Sequence, residues 1–346
     1  MNIKKISLLA LSVTLILSVL LVFDSASAQA KVYKWKLFGT STYGEWMTRE
    51  LRDTVLPAVY KATNGQLKID IFVGGEHPYD RADMLKAVRD GMAEMSYSSA
   101  GYMSGTEPHL AAFELPLIMP VDFESTFKIY KACFDEVYKP TLDRWGVREV
   151  MTFVWPNQRL AADVAVKDWD SLKRKKIRVW SKELSDFIKT LNGTPITMAF
   201  GEVPTALATG LINGVVTNSG AMYDLGVFDS VKTLNLLEIQ YGLPWLVVSK
   251  AALAKLPADV QKAFLDTMRN YQDYMIKGGL SDANTKALLA VNKYGVNITS
   301  WSNDFREEVV TACKESVWKP WAKRAGAKGE TALKAIEKAK AALNIK

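Results

Sequence analysis

Hydrophobic positions along the chain change repeatedly between a strand spacing and a helix spacing. Residues 33–38 alternate and are rich in aromatic side chains, which predicts a first strand, and residues 67–73 and 95–97 predict two more. The segments between them have helical spacing, although Pro57 should bend the first helix and residues 81–90 form only a short second one. Strands and helices that alternate in this way predict an α/β fold with parallel sheet.

The second half of the chain continues this alternation. The pattern predicts strands at residues 150–155, 177–180, 196–198, 214–217 and 245–248, and helices at 123–137, 183–191 and 203–209. Residues 258–292 keep a helical pattern for longer than an ordinary globular helix, and Gly278-Gly279 is its weak point. A helix of this length can reach across two lobes.

The first thirty residues predict export. A short basic segment precedes an apolar run at residues 6–23, and small residues with A-x-A spacing follow. This order is typical of a secretory signal peptide cleaved after Ala28 or Ala30, so we assign residues 1–30 to it and expect a periplasmic protein. The alternative is an uncleaved anchor, because the run nearly spans a bilayer. No later stretch approaches that length, so the cleaved chain is not expected to span the membrane.

The net charge of +7 is spread along the chain. The densest basic run, at residues 173–176, is typical of a solvated loop before a strand. We therefore expect no nucleic-acid partner. Mild basicity is compatible with the gathering of anionic solutes.

Groups suited to catalysis are scarce. The two histidines, His77 and His109, do not have the spacing of metal ligands, and no G-x-S-x-G, Walker A or G-x-G-x-x-G motif opens a predicted helix. An enzyme and a cofactor are therefore not predicted, although a periplasmic hydrolase with an unfamiliar site stays open. Cys133 and Cys313 are compatible with one disulfide or with two buried thiols.

Two arginines are candidates for anion binding. Arg159 follows a segment, Trp155-Pro156-Asn157, that is a plausible crossing between domains, and Arg178 lies inside the predicted strand at residues 177–180. A guanidinium inside an apolar strand is costly to bury unless an anion pairs with it, and its fork matches a carboxylate. An internal salt bridge is the alternative.

Three stretches resemble the signature of the substrate-binding proteins of TRAP transporters, the DctP-type family. They are LKRKKIRV at residues 172–179, GTPITM at 193–198 and EVPTALATGLING at 202–214. The family pattern there is L-K-G-x-K-[IL]-R, then G-x-x-P-x-x-M, then E-V-Y-x-A-L-Q-T-G-x-[IV]-D-G. Further similarity at Asp80-Arg81 and Leu256-Pro257 extends the resemblance over nearly the whole exported chain.

The resemblance implies a two-lobed periplasmic-binding-protein fold, with a hinge, a ligand cleft between the lobes and a long bridging helix. We expect lobe I to comprise residues 31–155 and 243–283, and lobe II residues 156–242 and 284–330, with a C-terminal helix at 331–346. The resemblance also implies that Arg178 binds the substrate carboxylate. A second family arginine lies about twenty residues earlier, where Arg159 is the match, and a polar residue after the N-G is matched by Asn218 with Thr217 as a rival.

This sequence departs from the family pattern at several positions. Pro204 replaces the usual Tyr, Asn213 the usual Asp and Arg174 the usual Gly, and the turn at residues 193–195 is one residue shorter. Some members carry Gln-Glu or Glu-Trp after the D-G for metal-assisted binding of keto acids, and these pairs are missing from residues 215–218. We therefore predict no bound metal.

Aromatic residues are the remaining candidates for the cleft, although large aromatic side chains are often core. If several line the cleft, the ligand is a compact or aromatic acid rather than a sugar acid. The candidates are Tyr97, Tyr102, Trp155, Trp180, Phe200 and Tyr223.

The predicted function is that of a solute-binding subunit, which captures a small organic anion and delivers it to the TRAP membrane permease. A periplasmic sensor subunit that presents its ligand to a receptor is the main alternative, because it would use the same residues.

Overall fold

Residues 31–345 are the part of the chain that the computed structural model describes, so the predicted signal peptide lies outside it. Their strands and helices alternate along the chain, as the hydrophobic pattern predicts. The strands are β1 Tyr33–Phe38, β2 Leu67–Phe72, β3 Met95–Ser98, β4 Val147–Thr152, β5 Arg159–Ala162, β6 Lys176–Val179, β7 Thr194–Thr197, β8 Gly214–Thr217, β9 Thr233–Leu236, β10 Trp245–Ser249 and β11 Asn297–Ser300.

The helices cover both faces of the sheets. They are α1 Trp46–Glu50, α2 Leu56–Ala62, α3 Met84–Arg89, α4 Phe123–Val137, α5 Lys139–Arg144, α6 Lys182–Thr190, α7 Val203–Ala208, α8 Ser219–Asp224, α9 Val227–Ser230, α10 Lys250–Ala254, α11 Ala258–Tyr294, α12 Asn303–Cys313 and α13 Lys319–Ala342. A π-turn at Leu51–Val55 joins α1 to α2 just before Pro57, where the sequence predicts a bend.

Two separate sheets define two lobes. The sheet of lobe I has the strand order β2-β1-β3-β10-β4, and that of lobe II has the order β11-β9-β5-β8-β6-β7. The two-lobed α/β fold is therefore confirmed. The prediction of parallel sheet is only partly right, because β10 runs antiparallel to β3 and β4, and β5 antiparallel to β8 and β9.

The antiparallel strands are those that the chain enters directly from the other lobe. The chain passes from β4 to β5 and from β9 to β10 without a crossover helix, and parallel pairing needs such a helix. The sequence pattern missed β5, β9 and β11, each of which is four residues long. The first sheet takes its strands from residues 33–152 and 245–249, and the second from residues 159–236 and 297–300.

Helix α11 bridges the lobes. It runs for 37 residues from Pro257 to a left-handed Gly295. It packs against α1, α2 and β4 of lobe I and against α8 and α9 of lobe II. The predicted weak point at Gly278-Gly279 does not interrupt it.

The C-terminal segment returns from lobe II to lobe I. Helix α12 packs on α6 of lobe II, and α13 packs on α4 of lobe I. Helix α13 starts at Lys319, twelve residues before the predicted start, with a break at Gly326, whose φ is +59°. Within residues 31–345 no helix is both long and apolar enough to cross a membrane.

Each lobe has its own core, and each core holds one cysteine. Cys133 is buried in lobe I with Tyr130 and Tyr138, whereas Cys313 is buried in lobe II with Phe187. Both thiols are free, so the arrangement is the one with two buried thiols. Burial raises the pKa of Cys133 to about 11 and that of Cys313 to about 12.

Candidate functional site

The candidate site is a cavity where the carboxyl ends of strands from both sheets face each other. Lobe I contributes the turns after β1 and β3, and lobe II contributes residues at the ends of β6, β7 and β8. Ligands of α/β proteins bind at such strand ends. The cavity is partly open to solvent and has about 410 Å³ of empty space, its open mouth included. It is lined by Thr40, Ser41, Glu45, Tyr102, Trp155, Gln158, Arg178, Trp180, Phe200, Thr217, Asn218 and Ala221.

Arg178 enters the cavity from the centre of the lobe II sheet. Strand β6 carries it between β7 and β8, and its side chain is only 1% exposed. Its Nε and Nη2 donate to the carbonyl oxygen of Met198 at 3.3 and 3.2 Å. The guanidinium carbon lies 5.7 Å from the centre of the Phe200 ring. Within residues 31–345 no carboxylate lies within 4.0 Å of it.

The charge on Arg178 is therefore buried without a counter-ion. The pKa of its guanidinium is lowered to about 10, chiefly by burial. Arg81 contributes to the decrease, and Tyr102 and Glu202 oppose it. A group with that pKa remains charged at neutral pH. The alternative of an internal salt bridge for Arg178 is therefore not what the structure shows: its acceptor is the neutral carbonyl oxygen of Met198.

Asn218 and Thr217 both line the cavity at the end of β8. Asn218 is the N-cap residue of α8, where its Oδ1 accepts from the backbone N–H of Ala221 at 2.9 Å. Its Nδ2 has no acceptor among the described residues. The amide therefore presents a donor to the cavity, which suits an anion.

Four aromatic residues form the walls. Trp180 of lobe II meets Tyr102 of lobe I edge to face, with ring centres 5.3 Å apart, and Trp155 at 6.1 Å. Trp180 Nε1 donates to Gln158 Oε1 at 3.4 Å, which orients the indole. Phe200 completes the wall beside Arg178. The indole N–H of Trp155 is buried and has no acceptor in the described residues.

The turn that carries Tyr102 is held from behind by Glu114. This buried carboxyl accepts from Ser99 Oγ, from the N–H of Gly101 at 2.9 Å and from that of Leu243 at 3.4 Å. Gly101 lies against Trp180, and a Cβ at this position would come within 2.6 Å of the indole. The close contact between the lobes thus requires glycine here.

The sequence analysis missed four polar residues of the cavity. Thr40 and Ser41 follow β1, Glu45 precedes α1, and Gln158 precedes β5. The end of β1 was predicted at this turn, so the topology of the strand ends was the available signal for Thr40 and Ser41. Nothing in the local pattern singles out Glu45.

Glu45 is partly buried at the lobe I side of the cavity. The pKa of its carboxyl is raised to about 7, chiefly by burial. Asp224 and Asp282 contribute to the increase, and the Ser41 hydroxyl and Lys286 oppose it. No cation lies within 4.0 Å of it in the described part of the chain.

Arg159 does not reach the cavity. Its Nε and Nη2 donate to Glu238 Oε1 at 3.0 and 2.8 Å, and Nη1 donates to Ser219 Oγ at 3.0 Å. Side chains alternate along a strand, so the residue that lines the cavity is the neighbouring Gln158. It lies one position before Arg159 and twenty before Arg178. For Arg159 the structure therefore favours the internal salt bridge.

Tyr97 and Tyr223 also lie outside the cavity. Tyr97 is 0% exposed in the core below it, where its hydroxyl bonds Thr48 Oγ1 at 2.8 Å and its ring fills the space left by Gly39. Burial raises the pKa of Tyr97. Tyr223 packs edge to face on Tyr294 at 6.0 Å, on the outer side of α8. Both are structural aromatics in this arrangement.

Within residues 31–345 no group of three His, Cys, Asp or Glu side chains has a metal-binding arrangement. His109 is buried in lobe I beside Thr141, and His77 stacks on Phe38. Neither histidine nor either cysteine is among the residues that line the cavity. The lining instead offers one cation, one carboxyl, neutral donors and aromatic rings, which suits binding.

Comparison with known families gives one match. The model of the bacterial extracellular solute-binding proteins of family 7, DctP, matches residues 55–324. The C4-dicarboxylate-binding periplasmic protein DctP of Rhodobacter capsulatus is 26% identical over 283 residues, which cover 80% of this chain and 82% of that protein.

Solved structures share the fold. DctP7, a Bordetella pertussis extracytoplasmic solute receptor that binds pyroglutamic acid, superposes with a TM-score of 0.80 at 21% identity, covering 88% of this chain and 100% of that one. A TRAP periplasmic solute-binding protein from Desulfovibrio salexigens with bound orotic acid has a TM-score of 0.80 at 21% identity, covering 90% and 99%.

Proposed function

We propose that this protein captures a small organic anion through a carboxylate and delivers it to a TRAP-type membrane permease. The chain belongs to the bacterial extracellular solute-binding proteins of family 7. The family consists of extracytoplasmic solute receptors rather than enzymes. The ligand, the permease and the residues that bind the ligand are parts of the proposal.

The observation that carries the proposal is the buried, unpaired guanidinium of Arg178. A charge removed from water costs several kcal/mol unless a partner compensates it, and the only acceptor supplied by the described residues is the Met198 carbonyl. A ligand carboxylate would supply the missing negative charge, and two parallel N–H···O bonds suit the guanidinium fork. Asn218 Nδ2 and Thr217 are available as further polar contacts.

The proposed mechanism is binding without covalent change. An anion enters between open lobes and pairs with Arg178 on lobe II, and closure brings Tyr102 of lobe I against Trp180. Binding energy gained only in the closed form shifts the population towards it. The permease would then recognise the closed form.

The walls support a compact ligand. Tyr102, Trp155, Trp180 and Phe200 supply four aromatic side chains to the lining of the cavity. Flat or ring-shaped acids fit between aromatic faces. Pyroglutamic acid and orotic acid, which two structural relatives bind, are of this kind, whereas two others bind β-D-galacturonate and D-glucuronate.

The experiment is a thermal-shift screen of the protein from residue 31 onwards against monocarboxylates, dicarboxylates, keto acids, aromatic acids, sulfonates and sugar acids. A compound that binds only the folded state raises the melting temperature by mass action. We expect a compact carboxylate to raise it, and Arg178→Ala to weaken binding by at least about 100-fold.

Arg159→Gln is the matched control, because Arg159 is a second largely buried arginine whose partners are internal. We expect this variant to keep its affinity within about threefold. A ligand that survives Arg178→Ala removes Arg178 from the site, and a screen in which no organic anion binds contradicts the proposed function. Capture of a receptor kinase in place of permease subunits would favour the sensor alternative.

A further inference from the structure

Glu45 gives the cavity an ionisable carboxyl group besides the guanidinium of Arg178. It lies on lobe I, before α1, while Arg178 lies on lobe II, and both line the same cavity. The two side chains are not within ion-pair distance of each other, yet both act on the ionisation of Tyr102, which lies between them. The carboxyl, the guanidinium and the Tyr102 ring therefore share one cavity.

The carboxyl of Glu45 lacks a cationic partner within the described residues. Arg49 pairs with Glu50 and Asp282 instead, and Lys286 pairs with Asp224 and Asp282. A carboxylate placed in a closed cavity needs donors to replace its water. The Ser41 hydroxyl is a candidate donor to it, since it acts on the carboxyl in the direction that lowers the pKa.

The charges of the lining do not suit a dianion. The lining holds one guanidinium and one carboxyl group. Arg159 is bound to Glu238 outside it, and Arg81, whose guanidinium carbon lies 5.0 Å from the centre of the Tyr102 ring, is not part of the lining. A second ligand carboxylate placed near Glu45 would meet a like charge. A group with a hydrogen on nitrogen would instead donate to it.

We propose that Glu45 accepts a hydrogen bond from a nitrogen of the ligand, so that this protein selects monocarboxylates that also carry an N–H group, either a lactam or an ammonium. This inference rests on the proposed function, because it takes the carboxylate to be held by Arg178. It assigns the specificity to a residue of lobe I, so the ligand joins the two lobes through its opposite ends.

The test is calorimetric titration with pairs of compounds that differ in one atom. L-pyroglutamate is compared with the corresponding lactone, 5-oxotetrahydrofuran-2-carboxylate, and L-proline with tetrahydrofuran-2-carboxylate. In each pair the ring and the carboxylate are kept. In the first pair the neutral lactam N–H is replaced by oxygen, and in the second the protonated amine is replaced by oxygen, which also removes a positive charge. We expect the nitrogen compound of at least one pair to bind at least about tenfold more tightly.

Two variants attribute this preference to Glu45. Glu45→Leu removes the acceptor and should bring the two affinities within about twofold, and Glu45→Gln keeps the size and should give an intermediate ratio. Asp53→Asn removes a negative charge from the π-turn after α1, outside the cavity, and should leave the ratio unchanged.

The pH dependence provides a second readout. A ligand N–H stabilises the ionised carboxyl, so binding should weaken as the pH falls through the raised pKa of Glu45, which is about 7. We expect affinity for the nitrogen compound to be about tenfold lower at pH 6 than at pH 8, and to be constant in Glu45→Gln. The other charged groups facing Glu45 are Asp224, Asp282 and Lys286, and Asp224→Asn serves to separate their effect.

The outcomes distinguish this inference from the proposed function. If the two compounds bind equally in both pairs, or if only acids without N–H such as succinate bind in an Arg178-dependent way, the role of Glu45 is overturned and the proposed function stands. If no organic anion binds, both are wrong.

Discussion

Asn218 combines a structural and a proposed binding task in one side chain. Its Oδ1 caps α8 by accepting from Ala221, whereas its Nδ2 has no acceptor among the described residues, and the residue lines the cavity. The cap holds the amide in one orientation, so the donor is preorganised for an anion.

Exchange of Asn218 for Asp separates these tasks. Aspartate is an equally good N-cap, so the melting temperature should stay within about 2 °C. The new carboxylate replaces a donor with a like charge, and affinity for the anion should fall by about 10- to 100-fold. Calorimetry and thermal unfolding measure the two effects.

Asn213→Asp is the matched control, because Asn213 stands just before β8 at the other end of the strand and uses its Oδ1 to accept from Lys176 N at 2.9 Å. Its affinity should not change. Equal losses in both variants would contradict the binding task of Asn218.

His109 makes stability depend on pH. Its pKa is lowered to about 4, chiefly by burial. Lys328 and Arg144 contribute to the decrease, and Glu107 opposes it. The unfolded chain has a normal histidine and takes up a proton below pH 6.5, so the folded state loses stability as the pH falls from about 6.5 to about 4.

The variant His109→Gln should lack this dependence. The difference between its free energy of unfolding and that of the parent should change by about 3 kcal/mol between pH 7.5 and pH 4. Urea unfolding of both proteins at a series of pH values measures it. Parallel pH curves would show that His109 is not held neutral.

At the scale of elements, the bridging helix α11 depends on one close packing contact. A Cβ on Gly278 would lie 2.2 Å from Cζ2 of Trp46 on α1, whereas the nearest atom to a Cβ on Gly279 lies at 3.4 Å. The Gly-Gly pair that weakens the helix pattern in the sequence therefore has a packing reason at its first position.

Alanine at these neighbouring positions should have opposite effects. Gly278→Ala overpacks the contact with Trp46 and should destabilise the protein by about 1–3 kcal/mol relative to Gly279→Ala. Gly279→Ala should be neutral or stabilising by up to about 1 kcal/mol, because alanine favours the helix. Denaturant unfolding measures both, and equal effects would contradict the packing argument.

At the scale of the whole molecule, the two lobes have separate cores that are joined by α11 and the C-terminal segment. Arg324 of α13 pairs with the buried Glu183 of α6, which ties the helix that packs on lobe I to lobe II. The two thiols belong to different cores, so neither core depends on a covalent link between them.

The thiols should therefore be inert until the chain unfolds. Ellman's reagent should find no reactive thiol in the native protein and two in denaturant, because burial raises the pKa of both groups and excludes the reagent. A reductant should leave the unfolding midpoint unchanged. A midpoint that falls on reduction would reveal a disulfide.

The sequence by itself determined most of the elements and the proposed anchoring residue, Arg178. Residues 33–38, 123–137 and 214–217 were predicted with the boundaries that the structure has. The hydrophobic spacing of a helix or a strand is a property of the local sequence, so it can be read without the fold. Arg178 was found because a charged residue in an apolar strand is anomalous on its own. The motifs around it then indicated the family.

Only the tertiary structure decided which polar residues share the cavity with Arg178. Gln158 rather than Arg159 lines it. The sequence could not show this, because the four residues of β5, RLAA, do not alternate between polar and apolar. Glu45 comes to lie in the same cavity as Arg178 although the two are 133 positions apart in the chain. Such proximity is set by how the lobes pack around α11, and that packing depends on contacts between distant residues rather than on any local pattern.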